Sequence, residues 1–274
     1  MKTWIIAIGL FSLVGSAWAD ELEDSYASLK TAVEKKEADT VRKLAADVAK
    51  MARAAVAAPA TSDEAKQHAD FAKDVLTYTE YSLAATATAQ GMEPSKTVEL
   101  IDQLEAENPK SKYLDRGTTV AYINALESLA SGSATKAPDR ALAYANKLVN
   151  VMKAKPKPEG VSDADWERAR SEALGTGYFI AGAVNQQKGV WVDCDRDLKN
   201  ALGYISKDPG KLGPAEFMLG VCNYQLGRLT ADRSRLMAAQ KYSEESAAIS
   251  GPSQAQAAKN ALAIKAELAG PAKR

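Results

Sequence analysis

Residues 178–189 read YFIAGAVNQQKG and residues 216–227 read EFMLGVCNYQLG, so Phe179, Gly182, Asn185, Gln187 and Gly189 return 38 positions later as Phe217, Gly220, Asn223, Gln225 and Gly227. The register continues without a gap, because Leu198, Ala201 and Tyr204 return as Leu236, Ala239 and Tyr242. Leu, Ala and Tyr spaced three apart make a stripe at helical period. Gly189 and Gly227 stand where a first helix would stop, since glycine enters the left-handed conformation without steric cost. One unit therefore holds two helices, and self-similarity at this period marks a helical array.

Weaker copies lie upstream. Tyr81, Ala84, Ala87 and Gly91 match the Phe, first Gly, Asn and last Gly positions, and Ala121 and Asn124 are followed by Ala141 and Tyr144 at nearly the same distance. At the start, Tyr26, Leu29 and Val33 form one apolar stripe, and Val41, Leu44, Val48 and Met51 form another behind Asp39-Thr40, a helix-start signal. Breakers separate the pairs: Ala58-Pro59, Asn108-Pro109, the run Lys155 to Gly160, Asp208-Pro209-Gly210 and Gly251-Pro252. The pattern predicts an all-α chain with helices at about 21–36, 40–57, 63–90, 95–107, 111–130, 138–154, 163–188, 194–206, 212–228, 231–249 and 252–268. Ten of these pair into five hairpins, and the eleventh, alanine-rich and charged, suits the polar end that a stacked array needs. The Lys155 to Gly160 run reads either as a hinge or as a plain proline-containing loop between stacked helices.

The first nineteen residues stand apart. Lys2 precedes the apolar run Trp4 to Val14, and Ala17-Trp18-Ala19 offers an A-x-A cleavage site, the pattern of a secretory signal. The run is short for a membrane anchor, and no later apolar run is long enough to span a bilayer. The expected organisation is a signal peptide at 1–19, degenerate hairpins at 20–154, a loop or hinge at 155–161, the two best-formed repeats at 162–250, and a capping helix with tail at 251–274. Export to a periplasm or beyond follows as an expectation. Removing Lys2 leaves 34 basic against 35 acidic residues, so no basic excess points to nucleic acid.

The spacing resembles the tetratricopeptide repeat, in which a Leu-Gly pair on the first helix precedes a turn glycine by seven residues and the second helix carries Ala and Tyr three apart. Leu219-Gly220 with Gly227, and Ala239 with Tyr242, carry the match; Ala181-Gly182 with Gly189, and Ala201 with Tyr204, carry it less fully. Two departures mark a divergent member: the link from Gly227 to Ala239 is long, and Asn223 stands where the family has tyrosine. The resemblance implies a right-handed superhelix of about five hairpins whose first helices line a concave groove for a peptide or protein. Carried over by position, the groove sites are Tyr81, Tyr122, Gln187, Tyr224 and Gln225, with a core role as the other reading of each tyrosine. The paired Lys and Asn of the family's carboxylate clamp have no match here. Asn185 and Asn223 are expected to be buried and to bond to each other across stacked helices, fixing the register between units, with ligand binding as the other reading.

Little in the sequence points to catalysis. His68 is the one histidine, it lies in the polar helix start DEAKQH, and a solvated side chain is expected there. One histidine and two distant cysteines make no zinc site, no glycine loop cradles phosphate, and no cofactor is implied. In VDCDRDL, Asp193, Asp195 and Asp197 alternate as at the start of a calcium loop, but Leu198 and Tyr204 occupy the positions that need Gly and Glu. The three acids are then explained by the unpaired N–H groups of a helix start. Cys194 and Cys222 would stand nearly level if their helices are antiparallel about Pro209-Gly210. In an oxidising compartment they would form a disulfide; two buried thiols are the alternative. The expected function is a non-catalytic scaffold for a protein or peptide partner. The competing readings are an envelope polysaccharide- or peptide-active enzyme using groove carboxylates, since such chemistry needs only two placed acids, and self-assembly through an exposed end of the stack.

Overall fold

The computed structural model describes residues 13–270, with side-chain environments for 21–270. The described chain is all α, in eleven helices that fall into two compact units divided between Tyr122 and Ile123. In both units most helices adjacent in sequence pack together and further contacts skip one helix, the connectivity of a helical-repeat array. The first twelve residues of the predicted signal segment lie outside the described residues, and α1 begins at Leu13, ahead of the Ala17-Trp18-Ala19 site.

In the first unit, α1 (Leu13–Glu34) packs on α2 (Ala38–Ala57) and α3 (Asp63–Ala87), α2 packs on α3 and α4 (Pro94–Glu107), and α3 packs on α4. The buried face of α2 is Val41, Ala45, Val48, Ala49 and Ala52, an i, i+4, i+7, i+8, i+11 stripe that turns one side inward. Leu22, Leu29, Val75, Leu83, Leu100, Ile101 and Leu104 complete this core. Local chemistry sets the ends. The Ser62 hydroxyl accepts the Ala65 N–H at 3.1 Å to start α3, Pro94 sits in the first turn of α4, and Gly91 turns at φ +81°.

Helix α5 (Arg116–Ser133) starts five residues later than its predicted start at 111. Asp115 accounts for the shift, because its carboxylate accepts the Thr118 N–H at 3.0 Å and its carbonyl accepts the Thr119 N–H. The Thr118 hydroxyl donates back to the Tyr113 carbonyl at 2.9 Å, which holds the preceding residues in a turn.

The second unit stacks α6 (Pro138–Ala154), α7 (Asp163–Gln187), α8 (Trp191–Ile205), α9 (Pro209–Thr230), α10 (Arg233–Ala248) and α11 (Gln254–Ala269), each on the next, with α7 also on α9 and α9 also on α11. The Lys155 to Gly160 run joins two helices that pack on each other: a Cβ on Gly177 of α7 would stand 2.7 Å from Val149 Cγ2 and 3.2 Å from the Ala145 carbonyl. Helices α8 and α9 each begin three residues before the predicted start, α9 because Asp208 caps the Gly210 and Lys211 N–H groups and Pro209 follows it.

The repeated glycines are not equivalent. Gly189, at φ +71°, does end α7. Gly227 does not end its helix: α9 runs on to Thr230, and Ala231 takes the left-handed position at φ +54°. Gly227 is instead a packing position, since a Cβ there would lie 2.9 Å from Leu236 Cγ and 3.0 Å from the Leu236 nitrogen. Gly182 and Gly220 are also packing positions, against Leu198 and against Ser243 and the Ala239 carbonyl respectively. Ala201 and Ala239 are fully buried.

Candidate functional site

Two constructions stand out, one on the surface of the first unit and one inside the second. The surface feature begins with α3, where Phe71, Tyr78 and Tyr81 are seven and three residues apart and so share a face. Tyr26 of α1 meets Phe71 and Tyr78 edge to face, with ring centres 5.8 and 5.2 Å away. Tyr78 meets Tyr81 at 5.7 Å, and Tyr81 meets Tyr113, just before α5, also at 5.7 Å. The result is an unbroken row of five rings. Each pair contributes roughly 0.5–1.5 kcal/mol beyond its burial, which holds the row in place without a ligand. Lys30 Nζ lies 4.1 Å from the Tyr26 ring centre, and Lys112 Nζ lies 5.1 Å from that of Tyr113, so each lysine presents a cation to a ring face. Tyr81, fourth in the row between Tyr78 and Tyr113, is 44% exposed. Burial, with the neighbouring Tyr26, Tyr81 and Glu34, raises the Tyr78 pKa, so its hydroxyl remains a proton donor at neutral pH.

The internal feature is built on α8. Asp195 and Asp197 are about 200° apart around a helix, so one faces each neighbouring helix. Asp197 Oδ2 accepts from Asn185 Nδ2 of α7 at 2.9 Å, and Asp195 Oδ1 accepts from Asn223 Nδ2 of α9 at 2.7 Å. Arg235 of α10 donates to Asp195 Oδ2 at 2.6 Å and to Asn223 Oδ1 at 2.8 Å, while Lys199 reaches Asp195 at 2.9 Å and Arg196 reaches Asp197 at 2.9 Å. Burial pushes the Asp195 pKa up, but the hydrogen bonds from Lys199, Arg235 and Asn223 outweigh it and leave the carboxyl below its ordinary range. One residue before each member of the Asp195–Asn223 pair stand Cys194 and Cys222, both fully buried, which form a disulfide with Cα atoms 6.4 Å apart. Four helices are thus fastened at one level.

This geometry corrects several expectations. Asn185 and Asn223 are buried but do not bond to each other; each finds a carboxylate of α8, a charged acceptor that binds an amide more strongly than a second amide would. Asp195 and Asp197 are not helix-start acids, because α8 begins at Trp191 and both side chains are buried; Asp193 alone lies in the first turn. His68 is half-buried rather than solvated, with Nε2 shielded from water and without a hydrogen-bond partner among the described residues.

Among the groove positions, Tyr81 lies in the aromatic row. Tyr122 is 1% exposed, so it cannot face a groove; its hydroxyl donates to Asp102 of α4, and burial followed by that carboxylate raises its pKa. Tyr224 is half-buried, and its hydroxyl donates to Glu267 of α11 at 3.0 Å, with Arg228 on the same carboxylate at 2.6 Å. Gln225 beside it is half-buried, and Gln187 is exposed at the last position of α7. Tyr204 is 42% exposed and stacks on Tyr178 at 6.3 Å, with Lys153 Nζ 5.2 Å from the Tyr178 ring; Tyr242 is half-buried.

Most of the row was not legible in the sequence because Tyr26 reads as an ordinary core stripe and Tyr113 was expected inside a helix at 111–130, whereas α5 begins after it. The same-face spacing of Phe71, Tyr78 and Tyr81 was the available signal. Among the described residues, no group of three or more His, Cys, Asp and Glu side chains is placed to hold a metal ion, and no helix is long and apolar enough to cross a membrane. No protein-family model, curated protein or solved structure matches the chain.

Proposed function

We propose that this chain is an exported, non-catalytic helical-repeat scaffold of the tetratricopeptide type, acting in a periplasm or outside the cell, that holds a protein or peptide partner on the aromatic row of its first unit. The observation that carries this reading is the row itself: exposed Tyr81, flanked by Tyr78 and Tyr113 with lysines against the Tyr26 and Tyr113 rings, on α1, α3 and the entry to α5. Rigid tyrosines offer large contact area at small entropic cost, which is why they recur as anchors of protein interfaces. In the second unit, α11 covers Tyr224, so we assign that helix the role of closing the stack and give no binding role to Tyr224. The leader-like pattern at 1–19 supports export.

The test is photocrosslinking in the native host, with benzoylphenylalanine replacing Tyr81 in one strain and exposed Lys259 of α11 in another. A discrete adduct at position 81 that is absent at 259 and lost when Tyr78→Ala is added is the expected result. Equal labelling at both positions, or no protein adduct at 81, would overturn the reading.

A further inference from the structure

We infer that a cleft on the other side of α3 is a binding site for a primary alkylammonium group, namely a lysine side chain of a bound polypeptide. The cleft has a volume of 190 Å³ and an apolar floor of Ala45 and Ala49 from α2 and Leu76 and Leu83 from α3. Drug-sized pockets run to roughly 300–1,000 Å³, so this one suits a single side chain. Its rim is charged. Arg53 is committed to Glu107, the last residue of α4, whereas Glu80 receives one hydrogen bond, from Asn108 Nδ2 at 2.9 Å, and has no cation against it among the described residues. One arginine against two carboxylates leaves the cleft a net negative charge, and the C-terminal end of α4 adds to it.

A half-buried carboxylate without a counter-ion above an apolar floor is complementary to a cation on an aliphatic stem. The stem packs on the floor while the charge meets Glu80. Lysine fits better than arginine because Asn108 already occupies Glu80 Oε1, leaving one carboxylate oxygen for a point donor and no parallel pair for a guanidinium fork. At 3.6 residues per turn, Leu76, Glu80 and Leu83 lie roughly opposite Phe71, Tyr78 and Tyr81. The cleft is therefore separate from the aromatic row, and its occupancy does not depend on a partner binding there.

The full ¹⁵N-labelled chain is titrated with Nα-acetyl-lysine methylamide, with the norleucine analogue as neutral comparator and cadaverine as a free diamine. Saturable shifts at the amides of Ala49, Glu80 and Leu83 are expected, with the norleucine analogue and the Glu80→Gln variant each about tenfold weaker, the loss typical of one charge-assisted hydrogen bond. The carboxamide oxygen of that variant still accepts from Asn108, so the fold is retained. Ala49→Leu fills the floor and should abolish the shifts with helical circular dichroism unchanged. Equal binding of the norleucine analogue, or an unaltered response in Glu80→Gln, would overturn the site. Tighter binding of cadaverine than of the lysine amide would overturn its assignment to a polypeptide.

Discussion

Removing the Cys194–Cys222 bridge tests how α8 and α9 are held together. The two residues are 28 apart in sequence, and in the chain-entropy treatment a loop of that size restrains the unfolded chain by about 3.6 kcal/mol. For a chain of this size, 1 kcal/mol moves the melting temperature by roughly 2–4 °C, so Cys194→Ala with Cys222→Ala should melt roughly 7–14 °C lower. The variant should keep its helicity at room temperature, because the Asn223–Asp195 bond one residue along and the Arg235 bonds to both still join α8, α9 and α10. Both cysteines are fully buried, so a reductant can act only when α8 and α9 part. Reduction of the native protein should therefore be slow and should accelerate with mild denaturant. The assay is alkylation and mass measurement of unreduced protein, followed by thermal melts of wild type and variant monitored by circular dichroism. Two alkylated thiols in the unreduced protein, or a melting difference under about 2 °C, would refute the reasoning.

The glycine packing makes a paired prediction in denaturant midpoints. Gly220→Ala should destabilise by about 1–3 kcal/mol, since the new Cβ would lie 2.6 Å from Ser243 Oγ and 3.3 Å from the Ala239 carbonyl. Gly203→Ala, on an open face of α8, should stabilise by about 0.5–1 kcal/mol through helix propensity. Acid titration tests Asp195. Its folded pKa is depressed, so its contribution is present above the unfolded value of about 3.9 and is lost as pH falls through the folded value. Asp195→Asn should be less stable than wild type at pH 7, with the difference narrowing below about pH 4; a gap independent of pH would contradict the linkage.

Several features were legible in residues because they depend on neighbours in the chain. Eleven helices could be placed from apolar period, proline and glycine breakers and capping side chains, since each of these acts within a turn or two. The 38-residue register picked out Gly182, Gly220, Ala201 and Ala239 as recurring small residues, and the structure places them where helices touch. The local rules erred where a distant group decided the outcome. Gly227 has the sequence context of a helix stop, yet Leu236 packs against it and α9 continues to Thr230.

Asp195 and Asp197 look like helix-start acids in sequence and become buried anchors because Asn185, Asn223 and Arg235 arrive from three other helices. Tyr122, an expected groove residue, was claimed by Asp102, and Tyr224 by Glu267 of α11. The row from Phe71 to Tyr113 exists only because α1, α3 and the approach to α5 are brought side by side. The sequence by itself determined the helices and the repeat, because backbone hydrogen bonds and capping are local. Tertiary structure alone decided which polar groups are buried together and which rings face outward, because burial and pairing depend on residues far apart in the chain.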